Sequence, residues 1–238
     1  MKKTKKKIVL FIVEGITDQI SLENIVDTLV DEHNSSSRYE DNVIFEISEG
    51  DITSDYKSRP NNIKSKITKI IKAKGKRKYE PTDYKEVIHI IDTDGAYIDD
   101  NKIFQDKSKE KFFYGPDGIY YKNRDDVIKR NKHKREIIDS LLKTKTVYGS
   151  VKYRVFFLSS NIEHVLHNEM NVEDARKTEL AKAFEKKYED RAKDFISFIC
   201  DSSFACKKEY NQSWDFIKKN NNSIKRYTNF DIVIKEYI

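Results

Sequence analysis

Ile8-Val9-Leu10-Phe11-Ile12-Val13, closed by Glu14-Gly15-Ile16-Thr17-Asp18, is the stretch on which the fold turns. A continuous apolar, β-branched run of six residues fits a strand buried on both faces, and Glu14-Gly15 ends it. Thr17 then reads as a helix N-cap, with Ile20, Ile25 and Leu29 marking one face to about Glu32. The same alternation recurs downstream. Residues 43–47 form a second strand, and Ile63, Ile67, Ile70 and Ile71 line a Lys-rich helix ending near Gly75. Residues 87–91 form a third buried strand that stops at Asp92-Thr93-Asp94-Gly95, and residues 153–158 form a fourth. Strands alternating with helices predict an α/β fold: a Rossmann-like parallel sheet joined by right-handed crossovers and flanked by helices.

Two regions depart from this rhythm. Residues 96–134 read as an insertion: a hairpin from 111–114 and 119–122 around Gly115-Pro116-Asp117-Gly118, then a helix over 125–142. Beyond the fourth strand the pattern is helical, over 162–167, 172–190, 194–200 and 214–219, with Asn220-Asn221-Asn222 as a loop. The expected organisation is therefore a domain over 1–168, with its insertion at about 96–134, and a helical C-terminal region over 169–238.

Composition narrows the class. The 238 residues are 37% hydrophobic and 36% charged, against roughly 45–50% and about 25% in an average domain. A mean hydropathy of -0.77 argues against a membrane-embedded chain. The basic start, Met1 to Lys7, precedes an apolar run of only six residues, shorter than the ~7–15 of a signal peptide. Cys200 and Cys206 form no CxxC pair and, with the five histidines, complete no zinc set, so free thiols in a cytoplasmic protein are expected. The net charge of +6 is modest, and most of the basic residues are Lys, so basicity alone is a weak pointer to nucleic acid.

The chemistry lies at the strand ends. Glu14 and Asp18 follow the first strand, Asp92 and Asp94 the third, and Glu163 the fourth. In an open parallel sheet, ligands gather outside the carboxyl ends of strands. Carboxylates brought to one edge repel unless a cation joins them, and hard oxygen donors suit Mg²⁺ or Mn²⁺. Asp92 and Asp94 fall on one side of an extended segment, where both can touch one ion. No GxxxxGK[ST], GxSxG or HExxH motif occurs. A DxDG phosphatase of the haloacid-dehalogenase kind would carry its motif on the first strand, not the third.

The Val13-Glu14-Gly15-Ile16-Thr17-Asp18 turn, followed by a hydrophobic strand ending in Asp92-Thr93-Asp94, resembles the TOPRIM domain over roughly residues 7–168. The Glu14…Asp18 spacing and Ser159-Ser160-Asn161-Ile162-Glu163 are most similar to the OLD-type and RloB-like (abortive-infection) nuclease branch. The resemblance implies a metal-dependent nuclease acting on DNA or RNA, in anti-phage defence or RNA processing. Glu14, Asp92 and Asp94 would be catalytic. One or two Mg²⁺ or Mn²⁺ ions would be held by these three with Asp18 and Glu163, and a separate ATPase or regulatory protein would be a further partner. The densest basic tract, carrying Lys122, Arg124, Lys129, Arg130, Lys132, Lys134 and Arg135, is the candidate phosphate-binding surface. A solvated helix face is its simpler reading. The alternative function is a TOPRIM-like module that grips nucleic acid or a partner without cutting.

Overall fold

The computed structural model describes residues 6–36, 43–74 and 79–237. Lysines 2, 3 and 5 of the basic start, and Gly75, lie outside them. The fold is α/β, with a mixed, mostly parallel sheet flanked by helices. Its strands are β1 (Lys7–Val13), β2 (Val43–Glu49), β3 (Tyr84–Asp92) and β8 (Val151–Ser159), all mutually parallel in the order β2-β1-β3-β8. Two short antiparallel strands pair with β8: β7 (Thr146–Val147) and β9 (Tyr227–Thr228).

Side-chain alternation along β1 divides the core in two. Val9, Phe11 and Val13 join Leu22, Ile25, Val26 and Leu29 of α1 (Ile16–Ser36) on one face. Ile8, Leu10 and Ile12 join Ile63, Ile67 and Ile71 of α2 (Ile63–Lys74) on the other. The crossover through α1 therefore runs outward to β2, and that through α2 returns to the far side of β1. This reversal opens a crevice at the carboxyl ends of β1 and β3, the place where open α/β sheets bind ligands.

The expected insertion contains a second, three-stranded sheet of β4 (Ile103–Gln105), β5 (Phe113–Tyr114) and β6 (Ile119–Tyr121), in the order β4-β6-β5. The β5–β6 hairpin falls where the sequence predicts it; the parallel addition of β4 was not legible. The following helix, α3 (Arg124–Lys143), does not end with the insertion at residue 134. Its Val127 packs on the small sheet, and Ile137, Ile138 and Leu141 pack on the large one, so α3 ties the two together.

Residues after 168, the expected helical C-terminal region, pack into the core of the sheet domain. Phe184 and Tyr188 of α5 (Asp174–Tyr188), Phe195 of α6 (Ala192–Ile199), and Val233 and Ile234 of α8 (Asp231–Tyr237) share one core with β1 and α1. Trp214 of α7 (Tyr210–Ile217) packs in the core on the opposite face. The C-terminal part also grips the Asp92–Gly95 turn. Thr93 Oγ1 donates to the Ser223 carbonyl at 2.7 Å and Gly95 N to the same oxygen at 3.0 Å. From the other side, Asp94 N donates to Ser160 O at 2.7 Å.

Asp94 and Gly95 both take left-handed backbone, with φ of 47° and 66°. At Gly95 a Cβ would stand 2.3 Å from Ile224 Cγ2 and 2.9 Å from Ile119 Cδ1, so the turn needs glycine for φ and for space. Gly95→Ala should therefore lower unfolding free energy by about 1–3 kcal/mol in urea denaturation. A loss under about 0.5 kcal/mol would mean that the turn is not held as described.

Candidate functional site

Glu14 follows the last residue of β1 and Asp92 is the last residue of β3, so the crevice between these strands collects acids by topology alone. Glu14 is almost fully covered. Its Oε1 accepts a short hydrogen bond from Thr53 Oγ1, in the loop after β2, and its Oε2 lies 3.5 Å from Lys134 Nζ. Lys134, 1% exposed, reaches in from α3 and also contacts Asp94 Oδ2 at 2.5 Å and Ser54 Oγ at 3.4 Å. Asp94 additionally accepts from Tyr114 Oη at 3.3 Å. Tyr114 in turn accepts from Arg130 Nη1 at 3.0 Å.

Asp92 is different. It is half-buried and, among the described residues, its carboxylate has no hydrogen-bond or salt-bridge partner. Asp18 lies nearby, its Oδ2 accepting from Gly15 N at 3.0 Å. Helix α1 begins at Ile16, two residues earlier than a Thr17 cap implies, so Gly15 is the capping position and Asp18 serves the first turn by binding back to it. Glu163, in α4 (Ile162–His167), is buried and paired with Lys177 of α5 at 3.2 Å. Glu14, Asp92 and Asp94 thus gather around Lys134, while Asp18 and Glu163 border the same crevice beside Lys177.

The electrostatics follow from burial first. It pushes Glu14 up to about 8, with Asp51 and Asp94 adding repulsion and Lys134 opposing it. Burial pushes Asp18 up to about 6, helped by Glu163. Burial, with Asp18, Glu14 and Asp94 around it, holds Asp92 well above the usual carboxylate range. Asp94 goes the other way: burial works against its charge, but Lys134 and Arg130 outweigh it and lower its pKa. Burial alone would lower Lys134, yet Asp94, Glu14 and Asp92 keep it above the ordinary lysine value, so it stays an ammonium.

The basic tract does not present one surface. Lys122 pairs with Glu110, Arg124 donates to the carbonyls of Ile103 and Asp100, and Arg135 donates to that of Ala96. Arg130 and Lys134 are buried beside the acids, and Lys129 and Lys132 are exposed. The internal position of Lys134 has a sequence signal. Val127, Asn131, Lys134, Ile138 and Leu141 recur at three- and four-residue steps and form the buried stripe of α3. A lysine on such a stripe is expected to meet an anionic partner. Lys177 and the Thr53–Ser54 loop segment carried no comparable signal, because their partners come from distant parts of the chain. Comparison with protein-family models, curated proteins and solved structures finds no match.

Among the described residues no three His, Cys, Asp or Glu side chains already stand close enough together to form a metal cage. None of their helices is long and apolar enough to cross a membrane. Cys200 and Cys206 are both free. His164 accepts from Ser160 N through Nδ1 at 3.2 Å, and burial lowers its pKa to about 4.

A folded pKa raised above its unfolded value means that the folded state holds the proton more tightly, so stability falls as pH rises between the two. For Glu14 that window runs from about 4.5 to about 8. Burial of neutral His89 and His164 works oppositely, but only below about 6.5. In EDTA, the melting temperature should therefore fall between pH 6.5 and 8, and Glu14→Gln should flatten that slope. A wild-type profile that is level or rising across the window, and matched by Glu14→Gln, would contradict the buried-acid assignment.

Proposed function

We propose that the protein is a TOPRIM-like, divalent-metal-dependent nuclease that hydrolyses phosphodiester bonds of DNA or RNA, with defence or RNA processing as its setting. The observation that carries this reading is Asp92: a half-buried carboxylate without a hydrogen-bond partner, among other acids, at the crevice where the sheet reverses direction. A carboxylate in that position, with no protein donor, is left to solvent, a proton or a cation for its partner.

The donor set fits a hard cation. It is all oxygen, and Asp92 is uncommitted. Asp92, Asp94 and Glu14 would hold the ion, which would replace Lys134 as the partner of Asp94; Asp18 and Glu163 are the donors for any second ion. When bound, the ion would supply Lewis-acid polarisation of the scissile phosphoryl group. The chain's own residues would do the rest. Glu14, if not itself a ligand of the ion, is the carboxylate placed to take a proton from the attacking water. Lys134, no longer held by Asp94, would keep its positive charge within the crevice, where it can oppose charge that builds on phosphate oxygens. Arg130, next to it, adds a second enclosed positive charge 3.9 Å from Asp94, stacked over Phe112.

The second reading, a binding module that does not cut, is favoured by Lys134 itself, since its ammonium already sits between Glu14 and Asp94. Incubation of the purified chain with plasmid, single-stranded DNA and total RNA separates the two. Hydrolysis is expected with Mn²⁺ or Mg²⁺ and not in EDTA. Asp92→Asn should reduce it at least 100-fold while leaving the metal-free fold as stable or more so. Cleavage that survives chelation, or an undiminished Asp92→Asn variant, would sink the metal mechanism. Absence of cleavage on every substrate would favour the binding module.

A further inference from the structure

Tyr56 is 60% exposed, in a loop that is otherwise firmly anchored. Ile52 is in the core and Thr53 and Ser58 are fully buried, yet the aromatic ring between them points outward. It lies flat on His133 of α3, with ring centroids 5.2 Å apart and planes at 25°. His133 is fixed in turn by a 3.2 Å contact from Nε2 to the Asp55 carbonyl. Stacked on His133 yet 60% exposed, the ring keeps aromatic surface open to solvent.

Its location relative to the acids is set by four consecutive residues. Thr53 bonds Glu14, Ser54 contacts Lys134, Asp55 contacts His133, and Tyr56 stacks on His133. Three residue steps span at most about 10 Å, so the ring stands at the mouth of the crevice. Exposed cations lie close by along the chain: Lys57 and Arg59 on the loop, Arg59 donating through Nη1 to the carbonyls of Tyr56 and Ser58, and Lys132 next to His133 with Lys129 one turn before it on α3. Of the nearby acids, Asp55 is already paired with Lys66, and Glu136 lies one turn further along α3.

From this juxtaposition we infer that Tyr56, backed by His133, is a base-stacking platform for single-stranded nucleic acid, with Lys57, Arg59, Lys129 and Lys132 contacting the phosphates on either side. The inference rests on the nuclease reading for what lies at the end of the strand's path, and it names the substrate class: a strand with unpaired bases. A stacked ring reads the face that every base carries, whereas a base inside a duplex keeps that face covered by its neighbours. The lysines then act as sequence-independent backbone contacts.

The test is binding by fluorescence anisotropy in EDTA, where hydrolysis plays no part, using labelled oligo-dT, oligo-U and a blunt duplex. Single strands should bind more tightly than the duplex. Tyr56→Ala should weaken single-strand binding about tenfold with the salt slope unchanged, and Tyr56→Trp should restore it. Lys129→Ser and Lys132→Ser should each flatten the slope of log affinity against log salt by about 0.7. All three side chains replaced here are exposed or stacked at the surface, and matching thermal melts establish that the fold is intact. If Tyr56→Ala binds single strands as wild type does, or if the duplex binds equally well, the platform is refuted. Tyr56-dependent binding without any cleavage would keep this inference and overturn the nuclease reading, so the two fail separately.

Discussion

Lys134 carries a buried ammonium into the space between Glu14 and Asp94, and the rest of the crevice is arranged around that charge. Buried carboxylates at one sheet edge lose hydration and repel one another, and each alone would stay protonated. Lys134, with Arg130 beside it, changes the balance for Asp94, which remains ionised, but is not enough for Glu14 and Asp92, whose pKa values stay high. Several surrounding features serve to fix this pairing. Helix α3 is held by both sheets, the Asp92–Gly95 turn is clamped by Ser160 and Ser223, and Thr53 and Ser54 close over the top. The C-terminal part, far away in sequence, is therefore a structural component of the site.

The opposite end of the same sheet shows what a purely structural buried acid looks like. Glu86, 1% exposed, accepts from Arg154 through both carboxylate oxygens, from Tyr237 Oη at 2.9 Å, and lies 3.3 Å from Lys152. Burial works against its charge, yet these partners lower its pKa. Asp92 has the same chemistry and a comparable place at a strand end, but none of those partners. The fold satisfies Glu86 at that end and pairs Glu14, Asp94 and Glu163 with Lys134 or Lys177 at the other, yet leaves the Asp92 carboxylate without a protein partner. Unsatisfied groups at a ligand-binding edge are the usual mark of a site that awaits something.

The strands and flanking helices were legible because burial on both faces writes continuous apolar runs, as in β1 and β3, and one-sided burial writes a helical stripe, as in α2. The convergence of Glu14 and Asp92 was also legible, since parallel strands bring their carboxyl ends to one edge. What escaped was non-local. β9 and the Ser223 clamp depend on pairing with β8 and the Asp92–Gly95 turn across more than 60 residues, and two-residue strands leave no periodic trace. The basic tract was misleading for a related reason: a run of Lys and Arg on a helix says how many charges there are, while the buried stripe decides that Arg130 and Lys134 turn inward. Tyr56 left no signal either, because an exposed aromatic in a polar loop gains meaning only from its contact with His133.

The most direct measurement is a crystal structure with Mn²⁺ present, using its anomalous scattering to locate the ion. A metal-dependent hydrolytic site requires a peak bonded to the Asp92 carboxylate, with Lys134 displaced from Asp94 relative to the metal-free protein. Mn²⁺ absent from Asp92 at millimolar concentration, with Lys134 still paired to Asp94, would contradict it and leave a crevice neutralised by lysine alone.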